Sequence, residues 1–198
     1  MMWQRAHKNP TVPPRYHEDT TPIILLEHGY HRGLSRTYQM INETILPSMA
    51  ADGSINLSIV LEHSRQTMSV VAVAVLFIDP RGRLFYHTVE NGTTEPFQDV
   101  TTIEEEGIPL RLLKSGRASL IEQDVYANPH FRSTFDEKTG FRSKSMAVAV
   151  LKNKRGTATG ALVFLNKVSD TGAATGFTHF DSDVLPVVGA ITSMALLL

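Results

Sequence analysis

Lys167 and Asp181 are oppositely charged residues that stand at two element boundaries. Asn166-Lys167 closes an apolar run, GALVFLNK, that reads as a buried strand. Asp181 follows in FTHFDSD, where a polar loop gives way to a helical pattern. An acid near a helix N-terminus is favoured by the helix dipole, and a lysine at a strand end can reach it as a partly buried ion pair. Such a pair reads first as a staple of the fold and second as a support beneath a pocket.

The other reactive groups make weaker patterns. His28 and His31 have the spacing of a metal pair, but only Glu27 beside them offers a third ligand. His63, His87, His130 and His179 stand alone and read as surface or satisfied core residues. Glu104, Glu105, Glu106 and the pair Asp136-Glu137 read as solvated loops. No nucleophile elbow, P-loop, zinc-protease or dinucleotide-binding pattern is present. The chain has no cysteine, which removes thiol catalysis, disulfides and zinc–thiolate sites together. The sequence therefore points away from catalysis and from a bound metal.

Bulk properties set the frame for these residues. A chain of 198 residues, 42% hydrophobic and 20% charged, fits one globular domain with extensions and enough apolar material for a core. With 19 basic and 20 acidic residues the net charge is -1, without the basic excess that nucleic acid or an anionic membrane attracts. The N-terminus lacks an apolar signal segment, and no run reaches the roughly 18 apolar residues of a membrane span. These features fit a cytoplasmic protein with neither nucleic acid nor membrane as partner.

The elements that position these residues follow from periodicity. Residues 1–22 are rich in Pro, Thr and charge and read as a flexible arm; residues 23–198 read as a single domain. A helical pattern runs from Pro22 to Met49, and a second from Ser54 to about Met68. VVAVAVLFI, Val70 to Ile78, reads as a central strand, turned by Asp79-Pro80-Arg81-Gly82 into a partner from Arg83 to Thr88. Asn91 to Thr102 reads as a polar loop. A short helix from Ile108 to Lys114, stopped at Ser115-Gly116, precedes a short strand from Ala118 to Ile121. Asp124 to Lys144 reads as loop with one helical turn. A long hairpin pairs Ser145–Leu151 with Thr159–Asn166, and a last helix starts near Thr178 or Asp181. Antiparallel hairpins between flanking helices predict an α+β architecture.

In that order, several segments resemble a GAF domain, most nearly the regulatory GAF domains of cyclic-nucleotide phosphodiesterases and adenylyl cyclases. Glu106-Gly107-Ile108 with Lys114-Ser115-Gly116 resembles the family's helix after the second strand. Asp124-Val125-Tyr126, Asn128-Pro129 and Phe131 resemble its D-A-Y-x-x-P-x-F segment. Thr139-Gly140-Phe141-Arg142-Ser143 resembles its T-G-[FY]-[RK]-[ST], and Gly160 to Lys167 its G-x-x-x-[LF]-x-N-K strand. Asn166, Lys167, Phe177 and Asp181 match the NKFDE fingerprint, with Ser182 where Glu is usual.

The resemblance implies a GAF (PAS-like) fold, with a central antiparallel sheet. Terminal helices would cover one side, and short helices and loops would cover a pocket on the other. It implies a non-catalytic sensory domain of a phosphodiesterase- or cyclase-like protein, without a cofactor, for which cyclic AMP or cyclic GMP is the first ligand to test. Ligand positions carried over are Ala74, Glu90, Ile108, Pro109, Thr139, Ser143 and Val163. Proline at 109 removes one N–H donor from a helix start that would hold the phosphate, and Ala74 and Val163 replace polar base-reading residues. Thr139 and Ser143 keep hydroxyls. Family precedent also implies a homodimer through terminal helices, built on Leu34, Tyr38, Ile41 and Ile45 with Val187, Val188, Ile191, Met194 and Leu197. The apolar ending MALLL fits such pairing, or a longer parent protein. The alternative reading is a ligand-free dimerisation or scaffold module.

Overall fold

Val70–Ile78 (β1) is apolar throughout because it has a strand on each side and material on both faces. A computed structural model describes residues 57–78, 84–90, 93–100 and 107–197. The predicted arm, the helical pattern of 22–49 and the His28–His31 pair lie outside these residues. Side chains are described for 57–78 and 107–197 only, apart from 135, 138, 139, 195 and 197.

Among the described residues six strands form one antiparallel sheet. Leu84–Glu90 (β2) pairs with β1 and with Thr93–Val100 (β3). On the other side β1 pairs with Ala158–Lys167 (β6), β6 with Met146–Lys152 (β5), and β5 with Ser119–Glu122 (β4). The order is β3-β2-β1-β6-β5-β4. The third strand corrects the expectation of a polar loop at 91–102. Its sequence, TTEPFQDV, carries a proline and few apolar residues. At a sheet edge neither is prohibitive, because one side of the backbone needs no partner. The register shifts between Tyr86 and Thr88, so Pro96 and Phe97 together stand opposite His87 as a bulge.

Among the described residues four α-helices accompany the sheet: Leu57–Met68 (α1), Ile108–Ser115 (α2), Thr134–Thr139 (α3) and His179–Leu197 (α4). Alternation along β5 and β6 divides the interior into two layers. Ala147, Ala149, Leu151, Leu162 and Phe164 pack with Leu61 and Met68 of α1 and with Val184, Leu185 and Val188 of α4. Met146, Val148, Val150, Ala161, Val163 and Leu165 pack with Ile108 and Leu112 of α2 and with Val125. Long helices therefore cover one face, and α2 with the 124–145 segment roofs the other.

Helix termini explain the boundaries. Arg65 Nε and Nη2 donate to the two Glu62 carboxylate oxygens at 2.8 and 2.7 Å, and Nη1 donates to the Val70 carbonyl at 3.0 Å. The pair holds the Glu62 carboxyl below its usual range, and the fork fixes the turn from α1 into β1. Gly116, at φ 74°, ends α2 in the left-handed conformation glycine favours. Pro186 lies within α4, deeper than an N-terminal position, and its missing N–H leaves one helical carbonyl without its partner. A Cβ on Gly189 would lie 2.8 Å from Ala149 Cβ, so glycine lets α4 sit directly on β5.

Candidate ligand-binding site

Ala74 on β1 stands opposite Val163 on β6, and Val163 stands opposite Val148 on β5. Ile108 of α2 packs into the same apolar cluster, and Ile108, Val148 and Val163 are all buried. Three of the expected ligand positions, Ala74, Ile108 and Val163, thus meet under the roof. Their side chains are hydrocarbon, so this part of the face can shape a ligand but cannot hydrogen-bond to it. Pro109 is in the first turn of α2, after an N-cap glycine that supplies no side-chain cap. Its ring nitrogen carries no proton, which leaves that helix start one donor short. Glu90 ends β2 in register with Ala72 and Thr93. Thr139 ends α3, immediately before Gly140 at φ 72°.

Ser143 differs from the expected hydroxyl on a pocket wall. It is 2% exposed, and its Oγ donates to Asp136 Oδ1 at 2.7 Å. Its backbone N–H donates to Asp136 Oδ2 at 2.7 Å, and the Tyr126 hydroxyl donates to the same oxygen at 2.9 Å. Asp136, expected in a solvated loop, is 6% exposed. It stays buried because three donors replace the water a carboxylate needs. The Tyr126 ring contacts Phe131, with centroids 4.8 Å apart and the planes tilted, and carries the Arg142 guanidinium over it, 3.6 Å from the ring centre. Desolvation first, and the hydrogen bond to Asp136 second, hold the Tyr126 phenol above its ordinary value. Two motif segments, around Tyr126 and around Ser143, are thereby fastened to one carboxylate.

The Asn166-Lys167 pair anchors this roof to the sheet. Asn166 has φ 60°, a conformation asparagine tolerates. Its Oδ1 accepts from the Lys144 N–H at 2.6 Å, and its Nδ2 donates to the Arg142 carbonyl at 2.8 Å. Lys167 Nζ points to the helical layer instead. It donates to the Met68 carbonyl and to Asp181 Oδ1, both at 2.7 Å, joining the ends of α1 and β6 to the start of α4. Asp181 Oδ2 accepts from the Thr178 N–H at 2.6 Å and the Thr178 hydroxyl at 2.8 Å, while the Asp181 N–H donates to Thr178 Oγ1. This is a capping box with Asp in the acidic position.

Phe177 is buried in the helical layer. Gln123 grips its backbone from both sides: Nε2 donates to the Phe177 carbonyl at 2.7 Å, and Oε1 accepts from the Phe177 N–H at 3.0 Å. Sequence reasoning missed Gln123 and Asp136. Gln123 carries no sequence signal, because its partner is backbone. Asp136 could have been sought as the partner that Tyr126 and Ser143, two motif residues with hydroxyls, both needed.

No family model and no curated protein matches the sequence. Solved structures do match. The GAF domain of a phosphoenolpyruvate-protein phosphotransferase from Coxiella burnetii aligns at TM-score 0.61 and 12% identity, over 84% of this chain and 94% of that one. The GAF domain of a two-component sensor histidine kinase from Bacillus halodurans gives 0.52 and 13%, over 74% and 93%. A free methionine-R-sulfoxide reductase from Neisseria meningitidis gives 0.50 and 19%, over 70% and 74%. At these identities the likeness is one of fold: antiparallel sheet, helical layer and roof together give this chain the fold of GAF domains.

Proposed function

We propose that this chain is a non-catalytic regulatory domain that takes a small molecule under its roof and reports it through α1 and α4. The observation that carries this reading is the two-faced sheet. Adjacent residues of β5 and β6 contact the roof layer and the helical layer alternately, so a displacement at Val148 or Val163 reaches Ala149, Leu162 and Phe164 through one strand. The finer form of the proposal is a cytoplasmic regulatory domain of a phosphodiesterase- or cyclase-like protein that binds cyclic AMP or cyclic GMP. Ala74 and Val163 are apolar and Ser143 Oγ is engaged with Asp136, so discrimination between the two nucleotides is expected to be slight. Calorimetric titration with each nucleotide tests it. Micromolar binding of either supports the finer reading, and heat from neither restricts the proposal to another ligand class.

A second reading, a dimerisation or scaffold module without ligand, is favoured by the outer face of α4. Val187 is 40% and Met194 67% exposed, while Val188 and Ile191 of the same helix are buried in the domain's own core.

A further inference from the structure

A groove of about 470 Å³ lies between the flank of α4, Ala118 before β4, and the turn from β5 into β6. That volume suits a small molecule, for which roughly 300–1,000 Å³ is usual. Ala74, Ile108, Ser143 and Val163 do not line it, so it is separate from the site under the roof. It exists because β4 is shorter than its neighbour. β4 pairs with β5 only as far as Ala149, whereas β5 runs on to Lys152. Beyond β4 the Val150 N–H donates to the Ala118 carbonyl at 2.8 Å, and the Lys152 N–H donates to Ser193 Oγ at 3.1 Å. Ser193 Oγ in turn donates to the Gly189 carbonyl at 2.8 Å. The helix thus completes the sheet edge, and the space beside it stays open. Its floor is exposed hydrocarbon: Ala118, Pro186, Ala190 and Met194 are all exposed, Met194 at 67%.

One end of the groove is polar, with Lys152, Asn153 and Lys154 lining it. Neither ammonium has a carboxylate partner among the described residues. Asn153 Oδ1 accepts from the Arg155 N–H at 2.9 Å and the Thr157 N–H at 3.0 Å, which fixes the amide in the turn. Its Nδ2 has no acceptor among the described residues, so an N–H donor group stands ready beside the lysines. A turn prearranged in this way reduces the ordering cost of binding. Pro186, Ala190 and Met194 are four apart on one side of α4 and span about 12 Å at the helical rise. The bond from Lys152 to Ser193 sets the cations at the Met194 end. We propose that this groove binds an aliphatic carboxylate. Its chain lies along Met194, Ala190 and Pro186, and its head meets Lys152, Lys154 and Asn153 Nδ2. A neutral molecule of the same length gains only the apolar contact. A carboxylate without the chain gains only the charge, which exposed cations share with water and salt.

The experiment is a backbone amide NMR titration of the full chain with octanoate, the neutral 1-octanol and acetate. Saturable shifts at residues 118, 150–154 and 187–194 are expected with octanoate, and none with acetate. Binding about tenfold weaker is expected for 1-octanol, and for octanoate on Lys152→Gln/Lys154→Gln. The same variant should bind 1-octanol as the unaltered chain does, which separates lost charge from lost fold. Equal affinity for octanoate and 1-octanol, undiminished octanoate affinity in the variant, no saturable shift, or shifts centred on Ala74 and Val163 would overturn the proposal. Val187 does not line the groove, and pairing of two copies through α4 predicts no response to octanoate at 152–154. A cyclic-nucleotide failure under the roof also leaves these outcomes unchanged, so the proposals fail separately.

Discussion

The Ser143 hydroxyl and the Ser143 backbone N–H donate to the two oxygens of the Asp136 carboxylate, each at 2.7 Å. The chelate ties α3 to the approach of β5, and the Tyr126 hydroxyl adds the turn after β4. The 124–145 roof is therefore closed by a buried acid rather than by apolar contact alone.

Asp136→Asn keeps the shape but replaces one acceptor oxygen with a donor. At least one of the three donors is then left facing an NH₂ group. A loss of about 2 kcal/mol is expected, as for a buried polar group deprived of its partner. Tyr126→Phe removes a donor near the surface and should cost about 1 kcal/mol. Urea unfolding measures both. Hydrogen exchange should show the loss of protection concentrated in 124–145, and a uniform loss would contradict the latch.

Alkali should open the same latch. The Tyr126 pKa is raised in the folded chain, so the native state holds its phenolic proton more tightly than the unfolded chain does. The stabilisation is complete below the ordinary tyrosine value of about 10 and is lost as pH rises through the folded value. Ultraviolet titration should show a tyrosine step above the ordinary value that is absent from Tyr126→Phe. In Asp136→Asn that late step should move down, because a carboxylate no longer opposes the phenolate.

Lys167→Ala leaves Asp181 with its Thr178 donors but no counter-charge, in a position 3% exposed. It also frees the Met68 carbonyl at the end of α1. A loss of about 3 kcal/mol is expected, the lower end for breaking a buried pair from one side. Thermal melting checks it. In the double variant Lys167→Ala/Asp181→Asn part of the loss should return, since no unpaired charge remains. Fully additive losses would remove the ion pair from the account.

Much of this frame was legible because the relevant signals are local. VVAVAVLFI could only be a strand with both faces covered, and Gly116 could only be a stop. The NKFDE residues marked the junction of β6 and α4, although the Met68 carbonyl as a third partner was invisible from sequence. β3 was not legible, because an edge strand need not be apolar and TTEPFQDV has the polar composition of a loop. Asp136 was not legible either. Its burial depends on Tyr126 and Ser143 arriving from different segments, and no periodicity encodes that meeting.

Gly160 opens the matched G-x-x-x-[LF]-x-N-K strand, but no strained backbone angle requires it. The reason is contact. A Cβ there would fall on the Leu76 carbonyl oxygen of the neighbouring strand. Backbone cannot step aside in the middle of a six-stranded sheet as a flexible side chain would. Gly160→Ala should therefore cost 2 kcal/mol or more, about the scale of overpacking a core. The measurement is the denaturation midpoint of the variant. Gly156→Ala, at φ 77° with open space around it, should cost less, about 1 kcal/mol.

Met194 tests whether the outer face of α4 meets a second copy. At 67% exposure, a carboxylate in its place is well hydrated in an isolated domain, so Met194→Asp should leave the melting temperature of a monomer nearly unchanged. In a dimer built on Val187 and Met194, two such carboxylates would be brought together across a two-fold axis and stripped of water. The expected outcome is a dimer mass by light scattering for the unaltered chain and a monomer mass for Met194→Asp, with the circular dichroism spectrum retained. A dimer that survives the substitution places the interface elsewhere. A chain that is monomeric at high concentration before any substitution defeats the scaffold reading outright, because a module whose role is pairing must pair.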